Sequence, residues 1–160
     1  MEFRRSARQS RGPDPHSVGR GRVRRAQSRR VGIHGRELFG NNTPVGWGFE
    51  GRLAANGFEA LAFFDMPQNG GNADGVIDSG DAIYSQLRLW FDTDSDGVSS
   101  ADELVSLADA GVRSISLSTV ESHKQDRFGN DYRFRSQVSL QWTDNATVRR
   151  FAYDVFLMAR

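Results

Sequence analysis

The chain has 160 residues, no cysteine, three histidines and a formal net charge of +1. That length suits a single domain with a tail, and the missing cysteines exclude disulfides and thiolate metal sites. His16, His34 and His123 are too scattered for a zinc site, and no apolar run approaches the ~18–20 residues of a membrane span.

The near-neutral charge hides a split. Residues 1–36 carry eleven arginines against Glu2 and Asp14, a net of +9, and residues 37–160 carry ten basic and eighteen acidic residues, a net of −8. The basic tail, residues 1–34, alternates Arg with Ser, Gly and Gln and lacks the apolar h-region of a signal peptide. With few large apolar groups it cannot offset its ordering entropy, so disorder is expected there. Arg clusters neutralise phosphates, which raises a nucleic-acid reading; the tail lacks the aromatics that single-strand binding favours. Asp14-Pro15 is a chemically labile dipeptide within it.

Domain-like sequence begins at residue 35. Gly57 to Phe64 reads as a helix, and an acidic segment follows. With Gly75 as the sixth position of a calcium loop, Asn72 is the third, Asp74 the fifth, Val76 the backbone donor at the seventh and Asp81 the twelfth. Gly70 would fall at the first position and has no side-chain oxygen. Asp65 is the replacement, with Met66–Gly71 as an inserted bulge rich in Pro, Gly and Asn. This is loop one.

Ala82 to Phe91 carries apolar residues at 83, 84, 87 and 90, one face of a helix. Loop two then matches the EF-hand calcium pattern closely: Asp92, Asp94 and Asp96 at positions 1, 3 and 5, Gly97 at 6, the Val98 carbonyl at 7 and Glu103 at 12. Ca²⁺ takes six to eight oxygens at about 2.3–2.6 Å, and short carboxylates at alternate positions supply three of them. Ser99 stands at position 8, where an aliphatic would normally pair with the other loop. Loop two is expected to bind more tightly than loop one, which has an insertion and a short Asp81 at its end. A further helix is expected from Glu103 to Ala110, stopped by Gly111.

Beyond Gly111 the period changes to two. Ser114–Val120, Tyr132–Trp142 and Arg150–Met158 read as three strands with turns at Asp126–Asn130 and Thr143–Ala146. Their aromatic residues are read as core rather than as a ligand platform. No Gly-x-Ser-x-Gly elbow, phosphate loop or dinucleotide fingerprint occurs, so the chain is read as non-enzymatic.

Taken together, Gly35–Asn41, Asn56–Leu61, Asn72–Asp81, Leu87–Trp90, Asp92–Leu104, Asp126–Asn130 and Ala152–Phe156 resemble the EF-hand-type calcium-binding module of large secreted bacterial proteins, including RTX-like proteins, and of small stand-alone relatives. The resemblance covers residues 35–160 and implies an extracellular or cell-surface location. In that family a further Asp/Asn/Gly-rich calcium loop precedes the Glu-Leu-Phe-Gly element. Here that place holds Arg29–His34, which leaves Glu37 as an orphan ligand. Some members carry a calcium-triggered Asp-Pro self-cleaving module, but Asp14-Pro15 lies outside the resembling region.

The expected fold is therefore α+β, a compressed EF-hand pair (helix–loop–helix–loop–helix) followed by a three-stranded antiparallel sheet. The expected function is Ca²⁺ binding that stabilises a secreted structural or interaction module. The metal ligands would be Asp65, Asn72, Asp74, Val76 and Asp81 in loop one, and Asp92, Asp94, Asp96, Val98 and Glu103 in loop two. A dockerin-like protein–protein interaction module, and nucleic-acid binding through the Arg-rich tail, are the alternatives.

Overall fold

The structure, a computed structural model, describes residues 22–25, 38–45, 52–144 and 146–158. Glu37 and most of the basic tail lie outside the described residues. Among the described residues strands dominate, and there is one α-helix, α1 (Gly57–Asp65). Its start is specified locally: Asn56 caps it by accepting from the Glu59 N–H at 2.9 Å, and Phe58, Ala60 and Leu61 turn inward.

Ten strands accompany α1: β1 (Arg22–Arg25), β2 (Pro44–Val45), β3 (Arg52–Leu53), β4 (Val76–Ile77), β5 (Leu87–Trp90), β6 (Leu104–Ser106), β7 (Val112–Ser116), β8 (Val120–Gln125), β9 (Asp131–Thr143) and β10 (Ala146–Phe156). They form three antiparallel sheets. The largest runs β10-β9-β7-β4, with β8 pairing the other half of long β9; a second is β1-β5-β6, and β2 pairs β3. Ile77, Leu87, Leu107 and Val112 are the largest fully buried side chains, and α1 packs Phe58 and Leu61 into the same core.

The expected EF-hand pair does not form, and the α+β reading is corrected by this strand-dominated architecture. Two helices of the expected three are missing. Ala82–Phe91 becomes a short 3-10 turn (Tyr84–Gln86) followed by β5, with Leu87, Leu89 and Trp90 buried and Arg88 half-buried, a short apolar run that fits a strand with neighbours on both edges as well as a helix. Those four residues pair with β1 on one side, and three of them with β6 on the other. Glu103–Ala110 likewise gives one 3-10 turn (Ala101–Glu103) and β6. The strand β1 belongs to the basic tail.

The deeper reason lies at loop position 8. In an EF-hand pair that residue of one loop pairs with its counterpart in the other. Here Ile77 pairs with Ile115 of β7, and Val76 with Ser116. Ser99, the counterpart in loop two, is buried with its hydroxyl unpartnered. The aliphatic Ile77 finds an aliphatic strand, and loop two folds by other contacts.

This correction is measurable. Ile77→Ala should cost about 2–5 kcal/mol in denaturant unfolding. In a double-mutant cycle it should couple to Ile115→Ala by roughly 0.5–3 kcal/mol and be additive with Ser99→Ala. Coupling to Ser99 instead would restore the EF-hand pairing.

Candidate metal centre

Loop one is anchored by its first and last carboxylates. Asp65 is the final residue of α1; after it the chain doubles back through the 3-10 turn Pro67–Asn69, and Gly70 adopts a left-handed φ of +87°. Gly71 then lies against the Asp65 backbone so closely that a Cβ there would sit 2.2 Å from the Asp65 carbonyl carbon. The insertion is thus folded flat. The Ala73 N–H donates to the Asp65 carbonyl at 2.7 Å, and the Gly75 N–H to Asp65 Oδ2 at 3.0 Å, so Asp65 joins the loop across the six intervening residues. At the far end Asp81 Oδ2 accepts from the Asp78 N–H at 2.8 Å, and the Ala82 N–H reaches back to the Gly70 carbonyl at 2.9 Å.

Asp65 and Asp81 are both buried, at 7% and 4% exposure. In each, Oδ2 is bonded and Oδ1 is buried with no hydrogen-bond partner. Burial is the largest influence on Asp81 and raises its pKa; the Asp65 and Asp74 charges add to the rise, while the Asp78 and Asn72 amides oppose it. Two buried carboxylates within each other's field, each with an open oxygen, are what a bound cation would relieve. Asn72 and Asp74 stand exposed on the rim. The Asp74 N–H donates to Asn72 Oδ1 at 3.1 Å and the Val76 N–H to Asp74 Oδ1 at 3.0 Å, a chain of Asx turns that sets the loop's curvature. Val76 is half-buried at the start of β4.

Loop two is built differently. Asp92, Asp94 and Asp96 each offer an oxygen within 4.8 Å of the others, and all three are exposed. Ser95 and Gly97 take left-handed φ values of +63° and +74°, and Asp96 Oδ1 receives the Val98 N–H at 2.6 Å. The Val98 side chain is exposed. Glu103 does not join this group. It is buried and spends its carboxylate on four donors: the Thr93 N–H and hydroxyl to Oε1 at 2.8 and 3.0 Å, and the Trp90 indole and Ser100 N–H to Oε2 at 3.2 and 3.1 Å. The structure therefore brings together three of the four expected loop-two carboxylates and ties the other, Glu103, into a latch across the loop.

Those donors, led by the Ser100 and Thr93 amides, hold the Glu103 pKa down to about 2 against an ordinary 4.5. A depressed carboxylate stabilises the fold above its unfolded value and loses that contribution as pH falls toward its folded value. Glu103 thus supports the fold at neutral pH and ceases to between about 4.5 and 2.

Sequence reading missed Trp90 and Thr93 as partners of Glu103, and it missed Asp154. The Asp154 carboxylate on β10 sits at the first turn of α1, where burial raises its pKa and the Gly57 amide lowers it. Only the Asp-Gly-rich spacing advertised the site; a latch between residues 13 apart leaves no local pattern.

The chain matches the family model for the SPM domain over residues 30–157. It belongs to that family. The match takes in both loops, α1 and the large sheet. The chain is also similar to the iron-regulated protein FrpA of Neisseria meningitidis serogroup C, 35% identical over 116 residues, which is 72% of this chain and 10% of that protein. It therefore spans about a tenth of the relative's length.

The latch makes a sharp expectation. Glu103→Gln should lower the melting temperature in chelator as well as in calcium, and should flatten the acid limb of stability between pH 4.5 and 2. Loss seen only in calcium would make Glu103 a ligand rather than a latch.

Proposed function

We propose that this SPM domain binds calcium, and that the ion locks a strand-rich structural or interaction module of a long secreted polypeptide. The observation that carries the reading is the pair of buried oxygens, Asp65 Oδ1 and Asp81 Oδ1, left without partners inside loop one. Asp74, Asn72 and the Val76 carbonyl are further oxygen donors along the same loop, of the kind a hard cation takes, although the loop-one carboxylates are not gathered as closely as Asp92, Asp94 and Asp96. Loop two, with Asp92, Asp94, Asp96 and the Val98 carbonyl, is a second and shallower site. Its three carboxylates are open to water, and Glu103 is engaged elsewhere. Burial would make loop one the tighter site, the reverse of the order that the ligand types suggest.

A calcium role also suits the rest of the chain. It has no cysteine, and nine of the eighteen acids outside the tail lie between Asp65 and Glu103. Bound cations there would tie α1, β4 and β5 together as cross-links do in disulfide-rich domains. The role is structural, and its setting outside the cell is part of the same proposal.

Calcium should raise the melting temperature. A ligand that binds only the folded form adds about 2.7 kcal/mol at a hundred times its Kd. Affinities in the ~10⁻⁴–10⁻³ M range of extracellular modules are expected. Asp81→Asn should remove most of the calcium-dependent rise while leaving the chelated protein as stable as before or more so, because it deletes a buried charge. Asp94→Asn should remove the smaller part. Equal melting temperatures in chelator and millimolar calcium would end the proposal.

A further inference from the structure

The outer face of the large sheet presents cations that no carboxylate neutralises, next to an unpaired strand edge. Register places Arg135, Gln137 and Ser139 of β9 beside Tyr153, Phe151 and Arg149 of β10, on the face opposite buried Ser136, Val138 and Leu140. The cations there meet rings: Lys124 lies 5.1 and 5.2 Å from the Tyr132 and Tyr153 ring centres, and Arg135 lies 4.8 Å from that of Phe151. Among the described residues the ion pairs are Arg52–Glu59 and Arg133–Asp131, so Lys124, Arg135, Arg149 and Arg150 have no carboxylate within 4 Å. Phe151 is 43% exposed.

β10 is the terminal strand of this sheet. Its 11 residues pair with β9 on one side, and no described strand pairs with the other. Such an edge is a template for one more strand. The arginines near it decide what kind. A second copy of the same edge, paired antiparallel about its central Phe151, would set Arg149 opposite Tyr153 and Arg150 opposite Ala152, and would give neither arginine an acidic partner. An acidic strand would instead meet Arg149 and the ring-held Arg135 on the outer face. The free backbone edge favours a polypeptide over nucleic acid, which cannot continue the ladder.

We propose that the β10 edge is a docking site for an extended acidic segment of a partner protein, added as a further antiparallel or parallel strand with its carboxylates against Arg149 and Arg135 on the outer face. This site lies apart from the two loops and does not depend on the calcium reading. Backbone hydrogen bonds would supply affinity, and the cation–ring face would supply selection for acidic side chains.

The test is a titration of the isotope-labelled full chain, in calcium and at 0.15 M salt, with a peptide of about ten residues that alternates Glu with Val and Thr. Binding should shift and protect the amides of β10. The Lys counterpart should not bind, and Arg149→Glu should weaken binding at least about tenfold, ~1.4 kcal/mol. A peptide with N-methylated backbone should lose binding as well. Equal binding of the N-methylated form would overturn the proposal, since attraction would then be electrostatic alone. So would a dimer in light scattering that buries β10, or heparin or duplex DNA binding this face more tightly than the peptide. The N-methyl comparison needs no variant to fold.

Discussion

The burial of two carboxylates in loop one is the constraint around which the domain is arranged. Asp65 ends α1 and Asp81 leads into the turn before β5, so the two charges join the helix to the strand-rich core. Burying an ionised carboxylate is costly unless it is paired or coordinated. Each has one oxygen satisfied by a backbone amide and one left open. Gly71, packed on the Asp65 carbonyl, and the return bond from Ala73 fold the insertion flat against the end of α1.

The same segment explains why the loops do not pair with each other. β4 leaves loop one with Ile77 fully buried and opposite Ile115, so its edge is taken by β7. Loop two must then close on itself. It does so through Glu103, whose bonds to Trp90, Thr93 and Ser100 fasten the start of the loop to its end and to β5. One loop is organised by charges that lack partners, the other by a charge that has a full set. That difference separates the deeper candidate site from the shallower one.

The carboxylate and glycine spacing was legible in the sequence, including the return of Asp65 across the Met66–Gly71 insertion. So were α1, through Asn56 and its apolar face, and the alternation of the C-terminal segments, but not their number: the expected three-stranded sheet has five strands, because Ser114–Val120 breaks between β7 and β8 and β4 joins from loop one. Residues 82–91 and 103–110 were not. Leu87-Arg88-Leu89-Trp90 fits a helical face and a strand equally well, and its partners β1 and β6 are remote in sequence. Short apolar runs are decided by tertiary pairing. The outward rings Phe151 and Trp142 were read as core, because alternation alone cannot say which face of a sheet is covered; they are 43% and 55% exposed.

Whether a hard cation sits between Asp65 and Asp81 can be seen directly. The most direct measurement is a crystal structure of the full chain grown in saturating calcium, with the ion identified by its anomalous signal. An ion is expected about 2.3–2.6 Å from both Asp65 Oδ1 and Asp81 Oδ1, with further oxygens from Asn72, Asp74 or the Val76 carbonyl. A well-ordered loop one in which those two oxygens share a proton or bind water, with no ion present, would contradict that expectation.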